Sequence, residues 1–157
     1  MNTAPPSHEN RFHLPHCRLL ISSYLKLTGR HLNDLTVDDP DLGQKLYESP
    51  AVLLSHGTET DPVFNYGNLA AQELFEMDWD TLTRLPSRKS AELPNREERK
   101  RLLDEVNRQG FIDNYSGVRI SSSGRRFSIR HAVVWNLADD AGVYLGQAAT
   151  FSEWGYL

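Results

Sequence analysis

The last third of the chain contains two stretches of alternating apolar and polar residues, and this pattern restricts the possible folds most. Residues 126–137 and 143–151 flank Asp139-Asp140-Ala141-Gly142, a sequence typical of a hairpin turn. Successive side chains of a strand point to opposite faces, so the first strand is predicted to have one apolar face. That face comprises Phe127, Ile129, His131, Val133, Trp135 and Leu137, with Arg126, Ser128, Arg130 and Asn136 opposite. Such a hairpin needs helices to cover it.

Length and composition exclude several classes of protein. The 157 residues suffice for one hydrophobic core, and the net charge of −4 is not the basic excess of a nucleic-acid-binding surface. The single cysteine, Cys17, rules out an internal disulfide and favours a reducing compartment. No apolar run approaches the roughly 20 residues of a membrane span, and the first residues do not resemble a signal peptide. We expect a cytoplasmic protein that binds neither nucleic acid nor membrane.

The rest of the chain predicts helices and strands in a definite order. Helical spacing of apolar residues over 14–28 ends at Gly29, a common stop signal. Asn68 and Asp78 are predicted to cap two short helices, and Asn95 a longer one that ends at Gly110. Strands are predicted at 52–56, 63–66 and 111–120, ahead of the hairpin. Strands on both sides of a helical middle indicate an α+β domain with an antiparallel sheet.

Several linked motifs, taken in order, resemble those of a known family. They are Ser23-Tyr24 with Thr28-Gly29-Arg30, then the stretches 62–75, 86–92, 117–127, 134–137 and 146–151, including Asn68-Leu-Ala-Ala71. In this order they resemble a PAS domain and, more narrowly, the MEKHLA family of PAS-like domains. The resemblance extends from about residue 14 to the end of the chain, and a set of linked motifs is more specific than any one of them.

The resemblance implies a fold, a domain organisation and a general role. The fold is a five-stranded antiparallel sheet covered by short helices, with an N-terminal helical extension. The predicted divisions are a flexible arm at 1–11, the extension at 12–48 and the PAS-like domain at 49–157. The implied role is a stand-alone sensory or interaction module in signalling, which binds a small ligand or a protein partner non-covalently. Fold alone does not identify that ligand.

A ligand pocket is predicted between the inner sheet face and the short helices. Ligand sites are mostly apolar with a few convergent polar groups, and His131 and Gln147 are the candidates for those groups. The alternative is that aromatic side chains fill this space as ordinary core. The predicted pocket residues are Phe64, Tyr66, Leu74, Phe75, Trp79, Phe127, Ile129, His131, Val133, Trp135 and Gln147.

The same resemblance indicates which cofactors this chain could bind. Haem-binding PAS domains carry the proximal histidine on the long connecting helix, and residues 95–109 contain none, which argues against haem. Flavin-binding relatives use a glutamine near the position of Gln147, so flavin binding stays possible. Their photochemistry needs a cysteine in the helical segment, and Cys17 would have to fold back to serve. The spacing of His8, His13, His16 and Cys17 is not that of a structural zinc site, so no metal is expected.

Catalytic motifs are missing from the sequence, and non-enzymatic function is therefore expected. Charged residues from Glu97 to Glu105, Arg99 among them, are interpreted as a solvated helix face. The basic segment 87–90 offers an anion site near the pocket mouth, with a surface loop as the alternative. The alternative function is a small cone-like α+β enzyme or carrier, which needs a buried dyad such as His131 with Asp113.

Homodimerisation through the N-terminal helix is a further hypothesis. The helix carries Ile21, Tyr24 and Leu27 on one face. An apolar face of this kind left in solvent would favour association with another surface.

Overall fold

The computed structural model describes residues 4–157, apart from the side chains of residues 93–95. This part of the chain contains five α-helices and six strands, together with single-turn 3-10 helices at Leu32–Asp34 and Ser87–Ser90. The helices are α1 (Leu14–Thr28), α2 (Leu42–Tyr47), α3 (Leu69–Phe75), α4 (Trp79–Leu82) and α5 (Leu93–Gln109). The strands are β1 (Val52–His56), β2 (Phe64–Gly67), β3 (Phe111–Ile120), β4 (Arg126–Ala138), β5 (Tyr144–Phe151) and β6 (Glu153–Tyr156).

Local sequence signals account for most helix ends. Gly29 adopts φ +73°, which glycine tolerates, and its N–H donates to Leu25 O at 2.8 Å, ending α1. The Asn68 side chain accepts a hydrogen bond from Ala71 N at 3.0 Å, and Asp78 accepts one from Thr81 N at 2.8 Å. The predicted start of α5 was wrong by three residues, since the N-cap is Glu92 and not Asn95. This helix begins at Leu93 with proline in its first turn, so Asn95 lies inside it, with a side chain outside the described part.

The sheet is antiparallel throughout, with the strand order β2-β1-β5-β4-β3. A sixth strand, β6, pairs with β4 between Phe127↔Tyr156 and Arg130↔Glu153, next to the stretch of β4 that pairs with β5. The predicted PAS-like α+β fold is confirmed, with one strand more than the five expected. The extra strand arises because the chain continues along β4 after a break at Ser152.

A bulge interrupts the alternation of β4 at His131. Tyr115 pairs with Ala132 and Gly117 with Ile129, so two steps along β3 match three steps along β4. His131 has φ +54°, outside the strand region. An extra residue in a strand reverses the faces of every side chain beyond it. The predicted apolar face is therefore correct up to Ile129 and wrong after His131.

The reversal divides the buried side chains between the two sheet faces. The inner face carries Val52, Leu54, Phe127, Ile129, Ala132 and Phe151, which pack against α3, and Val134, which packs against α5. The outer face carries Leu53, Tyr66, Val133, Trp135 and Leu137, which pack against α1 and α2. Asn136, predicted opposite the apolar residues, instead contacts Gln147 through its side chain.

Helix α1 covers the outer face of the sheet through its own apolar side. The indole Nε1 of Trp135 donates to Leu20 O at 3.1 Å. Ser23 Oγ donates to Ala138 O at 3.2 Å and accepts from Ala138 N at 3.1 Å. Ile21 and Tyr24 are only 3% and 7% exposed. The chain's own sheet therefore buries two of the three side chains considered for a dimer, and homodimerisation through α1 remains a prediction.

Residues 8–13 form consecutive turns that run into α1. Phe12 N donates to Ser7 O at 2.8 Å, Ser7 N donates to Asn10 Oδ1 at 2.8 Å, and the Phe12 ring is buried. A flexible arm at 1–11 and the boundary at residue 48 remain predictions. Within the described residues, none of the helices combines the length and apolar character needed to cross a membrane.

Candidate functional site

A cavity of about 70 Å³ lies between the inner sheet face and α5. Because one buried water needs roughly 10–15 Å³ of such space, the cavity can hold several waters or one small organic molecule. Its lining comes from β1, β2, α3, α5 and strands β3 to β5. The lining residues are Leu54, Ser55, His56, Phe64, Phe75, Ser90, Arg99, Leu102, Leu103, Tyr115, Arg119, Ile129, Ala132, Val134, Gln147, Ala148, Ala149 and Phe151.

Small side chains on the sheet leave this space open. Ala132 follows the β4 bulge and Ala149 lies on β5, paired with Val134. Leu102 and Leu103 of α5 face the same cavity. The apolar walls therefore come from side chains that cannot meet across the gap, because the alanines are short.

Arg99 brings a guanidinium group to the cavity from α5. Its Nη2 donates to Ser87 Oγ at 2.7 Å. Desolvation, followed by the nearby charge of Arg119, lowers the pKa of Arg99 to about 10. No carboxylate of the described residues forms an ion pair with Arg99. The cation is thus partly removed from water without a partner of opposite charge.

Arg119 is a second cation of the cavity and is 9% exposed. Its Nη1 donates to Val118 O at 2.8 Å and its Nη2 to Tyr115 Oη at 3.3 Å. The guanidinium carbon lies 5.7 Å from the centroid of the Tyr115 ring, within the range of a cation–π interaction. These neutral groups orient Arg119 without neutralising it.

His56 adds a buried polar atom to the same lining. Its Nδ1 lies 2.9 Å from Gly57 O, and a carbonyl oxygen only accepts, so Nδ1 carries the hydrogen. Nε2 then has a free lone pair, and it is buried without a hydrogen-bond partner among the described residues. Burial lowers the pKa of His56, although the Gly57 carbonyl and the Gln147 amide act in the opposite direction. The neutral ring is therefore favoured.

Gln147 is held by two amide side chains. Its Nε2 donates to Asn107 Oδ1 and to Asn136 Oδ1, both at 2.9 Å. Asn107 lies on α5 and Asn136 on β4, so the amide links that helix to the sheet. Both N–H groups of Gln147 are used within the protein, which leaves its carbonyl oxygen for other contacts.

The backbone beside Gln147 requires glycine. Gly146 has φ +136°, and a Cβ at this position would overlap the His56 carbonyl oxygen. This close approach brings β5 against the end of β1, where His56 pairs with Gln147. Two polar residues of the cavity are therefore positioned by one backbone contact.

Apart from His131, the predicted pocket residues separate into three groups. Phe64, Phe75, Ile129 and Gln147 line the cavity, and Leu74 and Phe127 pack in the adjoining inner core. Tyr66, Trp79, Val133 and Trp135 belong instead to the core beneath α1, so their predicted placement was wrong. The β4 bulge is the reason for Val133 and Trp135. Tyr66 lies on the outer face of β2, beside Trp79 with ring centroids 5.8 Å apart.

His131 lies outside the cavity, and its predicted inward placement was wrong. Its Nδ1 is 2.6 Å from Asn114 Oδ1 and its Nε2 is 3.5 Å from Glu153 Oε2, while the side chain is 63% exposed. Asp113 forms an ion pair with Arg30 at 3.4 Å. The buried dyad required by the enzyme or carrier hypothesis is therefore not formed by these two residues.

The sequence interpretation missed the charged residues of the cavity. Arg99 precedes Leu102 and Leu103 by three and four positions, so all three share one helix face. That spacing was a usable signal, yet Arg99 was assigned to the solvated face. Arg119 lies four positions after Tyr115 on β3, so these two side chains share one face of the strand. His56, at the end of a short strand, carried no comparable signal.

The residues considered for metal binding lie apart from the cavity. Cys17 Sγ contacts Phe12 O and Tyr66 Oη beneath α1, and burial raises the pKa of this thiol to about 12. His13 Nε2 is 2.7 Å from Ala4 O, and His16 Nε2 is 2.8 Å from Ser55 Oγ. The described residues bring no three histidine, cysteine or acidic side chains into a metal-binding group.

The cavity as packed does not fit a flavin. Its volume of about 70 Å³ is below the roughly 300–1,000 Å³ of pockets for ligands of that size. Gln147 has both N–H groups committed, so it has none to donate to a ring. Cys17 lies on the opposite face of the sheet, where its thiol cannot reach a group bound in the cavity.

Comparisons with known proteins agree with this architecture. The model of a family described as the MEKHLA domain matches residues 14–156. A search of curated proteins finds no match.

Three solved structures show a similar fold at low sequence identity. A light-oxygen-voltage domain studied with a flavin analogue is 11% identical, with a TM-score of 0.60 over 76% of this chain and 86% of that one. A PAS domain from a two-component sensor histidine kinase is 14% identical, with a TM-score of 0.55 over 73% and 91%. The light-state dimer of the fungal blue-light photoreceptor Vivid is 12% identical, with a TM-score of 0.57 over 84% and 90%. At these identities the likeness shows the fold alone.

Proposed function

This chain belongs to the MEKHLA domain family, and on that premise we propose that it is a sensory module whose input is a small molecule. The molecule binds non-covalently in the cavity between the inner sheet face and α5. PAS-like modules of this shape serve signalling, and the proposed output is a change in how the helices pack on the sheet. A ligand biases such a change only through different affinities for the two states.

One observation supports the proposal above the others: apolar walls surround a few polar groups that converge on one cavity. Arg99, Arg119 and His56 face this space, while Leu102, Phe75 and Ile129 supply apolar surface. Ordinary core would fill the volume with side chains and leave no polar atom unpaired. Here His56 Nε2 is buried without a partner among the described residues.

The contacts of α5 supply a route from the cavity to the rest of the fold. Leu102 and Val106 pack on Val134, and Asn107 receives the hydrogen bond from Gln147. A ligand that displaces Leu102 or Leu103 would also disturb the Gln147–Asn107 contact at the end of the helix. The proposed response is therefore a shift of α5 against β4 and β5.

Methyl NMR with a set of small acidic, basic and neutral compounds tests this proposal. The methyl groups of Ala132, Ala149 and Leu102 report on the cavity, and we expect at least one class of compound to shift them at saturable concentrations. Ala132→Leu fills the cavity and should abolish the shifts. Ala141→Leu, exposed in the β4–β5 turn, is the control. Compounds that leave the cavity methyl groups unmoved, or that still bind Ala132→Leu, would contradict a ligand-sensing role.

Association with a second copy of this chain is the second candidate function, and one observation favours it. Val143, Tyr144 and Leu145, consecutive at the end of the hairpin, are 53%, 43% and 38% exposed. Sedimentation velocity across a hundredfold concentration range should show association that the double substitution Tyr144→Ser with Leu145→Ser weakens. A monomer at every concentration would contradict it.

A further inference from the structure

Resting on the proposed function, we propose that the ligand is a small carboxylic acid with an apolar body. Its carboxylate pairs with the guanidinium of Arg99, with Arg119 adding positive charge, and its body lies against Leu102, Ile129 and Phe75. Nothing in the family match or in the similar folds assigns a ligand of this class to the cavity. The inference depends on the charges and the shape of the cavity.

The charges of the cavity favour an anionic ligand. Two arginines line one cavity of a chain whose net charge is −4, and no carboxylate of the described residues pairs with either. Moving a cation out of water is costly unless an anion compensates it. Bringing two cations together adds repulsion, and the pKa of Arg99 is lowered by burial and then by Arg119. A bound anion would relieve both effects.

The acidic groups nearby do not supply that anion. Asp61 attracts Arg99 electrostatically, but its carboxylate accepts from Arg88 Nε at 3.0 and 3.1 Å. Arg96 is another cation that repels Arg99, and its Nε donates a hydrogen bond to Ala91 O at 3.0 Å. The Arg99 guanidinium has five N–H donors. Among the described residues, one of these donors makes a hydrogen bond, to Ser87 Oγ. The rest of the planar donor set matches the two oxygens of a carboxylate.

The size and apolar lining of the cavity favour a small ligand with an apolar body. The cavity volume of about 70 Å³ and its mostly apolar lining suit a body of a few carbon atoms or one ring. A bare inorganic anion would leave that apolar lining in contact with water. A larger anion such as a nucleotide would not fit. A short aliphatic or aromatic acid satisfies both the charged and the apolar walls.

His56 contributes an unpaired polar atom to the cavity. Its Nε2 lone pair, buried in a residue that is 7% exposed, lines the cavity without a partner among the described side chains. A buried acceptor of this kind costs free energy until a donor reaches it. The cavity is therefore incomplete as a piece of core. Because a carboxylate only accepts hydrogen bonds, an ordered water bound beside the acid supplies the donor to His56.

Titration calorimetry with benzoate and its neutral isostere benzamide tests the inference on the full chain. The two probes share size and shape and differ in charge. We expect benzoate to bind the wild-type chain at least about tenfold more tightly, because a charge-assisted bidentate contact exceeds a neutral one. Arg99→Gln should reduce this preference to about threefold or less, since the bidentate charged contact is lost and Arg119 contributes only its nearby charge. Arg101→Gln, exposed on the same helix, should leave the preference unchanged.

A readout on the wild-type chain covers the case in which Arg99→Gln fails to fold. The Arg99 Nε–Hε signal in NMR should shift with benzoate and not with benzamide. Arg99→Lys, which keeps the charge but loses the planar donor set, should retain part of the preference. Equal affinity for the two probes, or a preference that survives Arg99→Gln, would overturn the carboxylic acid assignment.

The outcomes also separate this inference from the proposed function. Neutral compounds that bind in the cavity as well as benzoate does, with no effect of Arg99→Gln, would sink the acid class and leave the sensory proposal standing. Cavity methyl groups that respond to no acidic, basic or neutral compound would sink both. Benzoate shifts at exposed arginines alone, with the cavity methyl groups unmoved, would also overturn the inference.

Discussion

Asn114 and His131 face each other across β3 and β4, joined by a contact of 2.6 Å between Asn114 Oδ1 and His131 Nδ1. Both residues have positive φ, +56° and +54°. The pairing register shifts on both sides of the Tyr115–Ala132 pair, once at Asn114 and once at His131. Each strand therefore carries an extra residue at the same level. The paired bulges keep the strands in register with each other while both exchange faces. They place Ile129 over the cavity and Trp135 beneath α1.

Substitutions at His131 test the bulge. His131→Val should lower the free energy of unfolding by about 1–3 kcal/mol, because a β-branched residue is strained at positive φ. His131→Gly should change it by less than about 1 kcal/mol, since glycine accepts this conformation and exposed polar contacts contribute little. Urea unfolding measures both, with Ser128→Val on the same strand as control. Equal destabilisation by valine and glycine would argue that backbone conformation is not what His131 provides.

Helix α1 offers a paired test of which face is buried. Ile21→Asp should cost at least about 3 kcal/mol, because it places a charge without a partner in the core that includes Trp135 and Leu137. Leu25 lies on the same helix and is 37% exposed, so Leu25→Asp should cost about 1 kcal/mol or less. Thermal unfolding with sedimentation distinguishes the packing from a dimer interface. If Ile21→Asp changed the oligomeric state but not the stability, α1 would be an intermolecular contact.

Gly146→Ala should destabilise the fold by about 2 kcal/mol or more, since the φ of +136° is strained for alanine and the new Cβ would overlap the His56 carbonyl oxygen. Gly142→Ala is the matched control. Its φ is +81°, but the added Cβ meets nothing within 4 Å, so about 1 kcal/mol of backbone strain is expected. Chemical denaturation of the two variants provides the comparison, and similar losses would show that the contact with His56 does not matter.

His16 makes stability dependent on pH. Burial, followed by the charge of His13, lowers its pKa from 6.5 to about 4. The unfolded chain therefore binds more protons between these values, and the free energy of unfolding falls as the pH drops from 6.5 towards 4. The mostly buried ring should account for a loss on the order of 2 kcal/mol. Burial also lowers the pKa of His56, so this residue too makes the free energy of unfolding fall as the pH drops.

Urea titrations at pH 7.5, 6 and 4.5 measure this dependence. His16→Asn should flatten the slope, while His8→Gln, exposed near the N-terminus, should not. A slope unchanged in His16→Asn would assign the pH dependence to other groups.

Much of the fold could be predicted from the sequence because its signals are local. The stop at Gly29 and the caps at Asn68 and Asp78 depend on residues within one helical turn of each other. The hairpin around Asp139 depends on the same kind of short-range chemistry. Linked motifs in the right order then indicated the family, which the match over residues 14–156 confirms.

The cavity was less accessible, because its composition depends on which face each strand presents. A single bulge at His131 exchanged Trp135 for Ala132 in the lining, and alternation alone cannot reveal a bulge. Arg99 lay at a spacing that indicated burial beside Leu102, yet charged helix residues usually face solvent.

The sequence by itself determined most helix ends, the order of the elements and the family, since these follow from neighbouring residues. Only the tertiary structure decided that Trp135 supports α1, that His131 lies in solvent, and that Arg99 and Arg119 share a cavity. Those facts depend on strand register and on contacts between residues far apart in the chain, which no short stretch of sequence encodes.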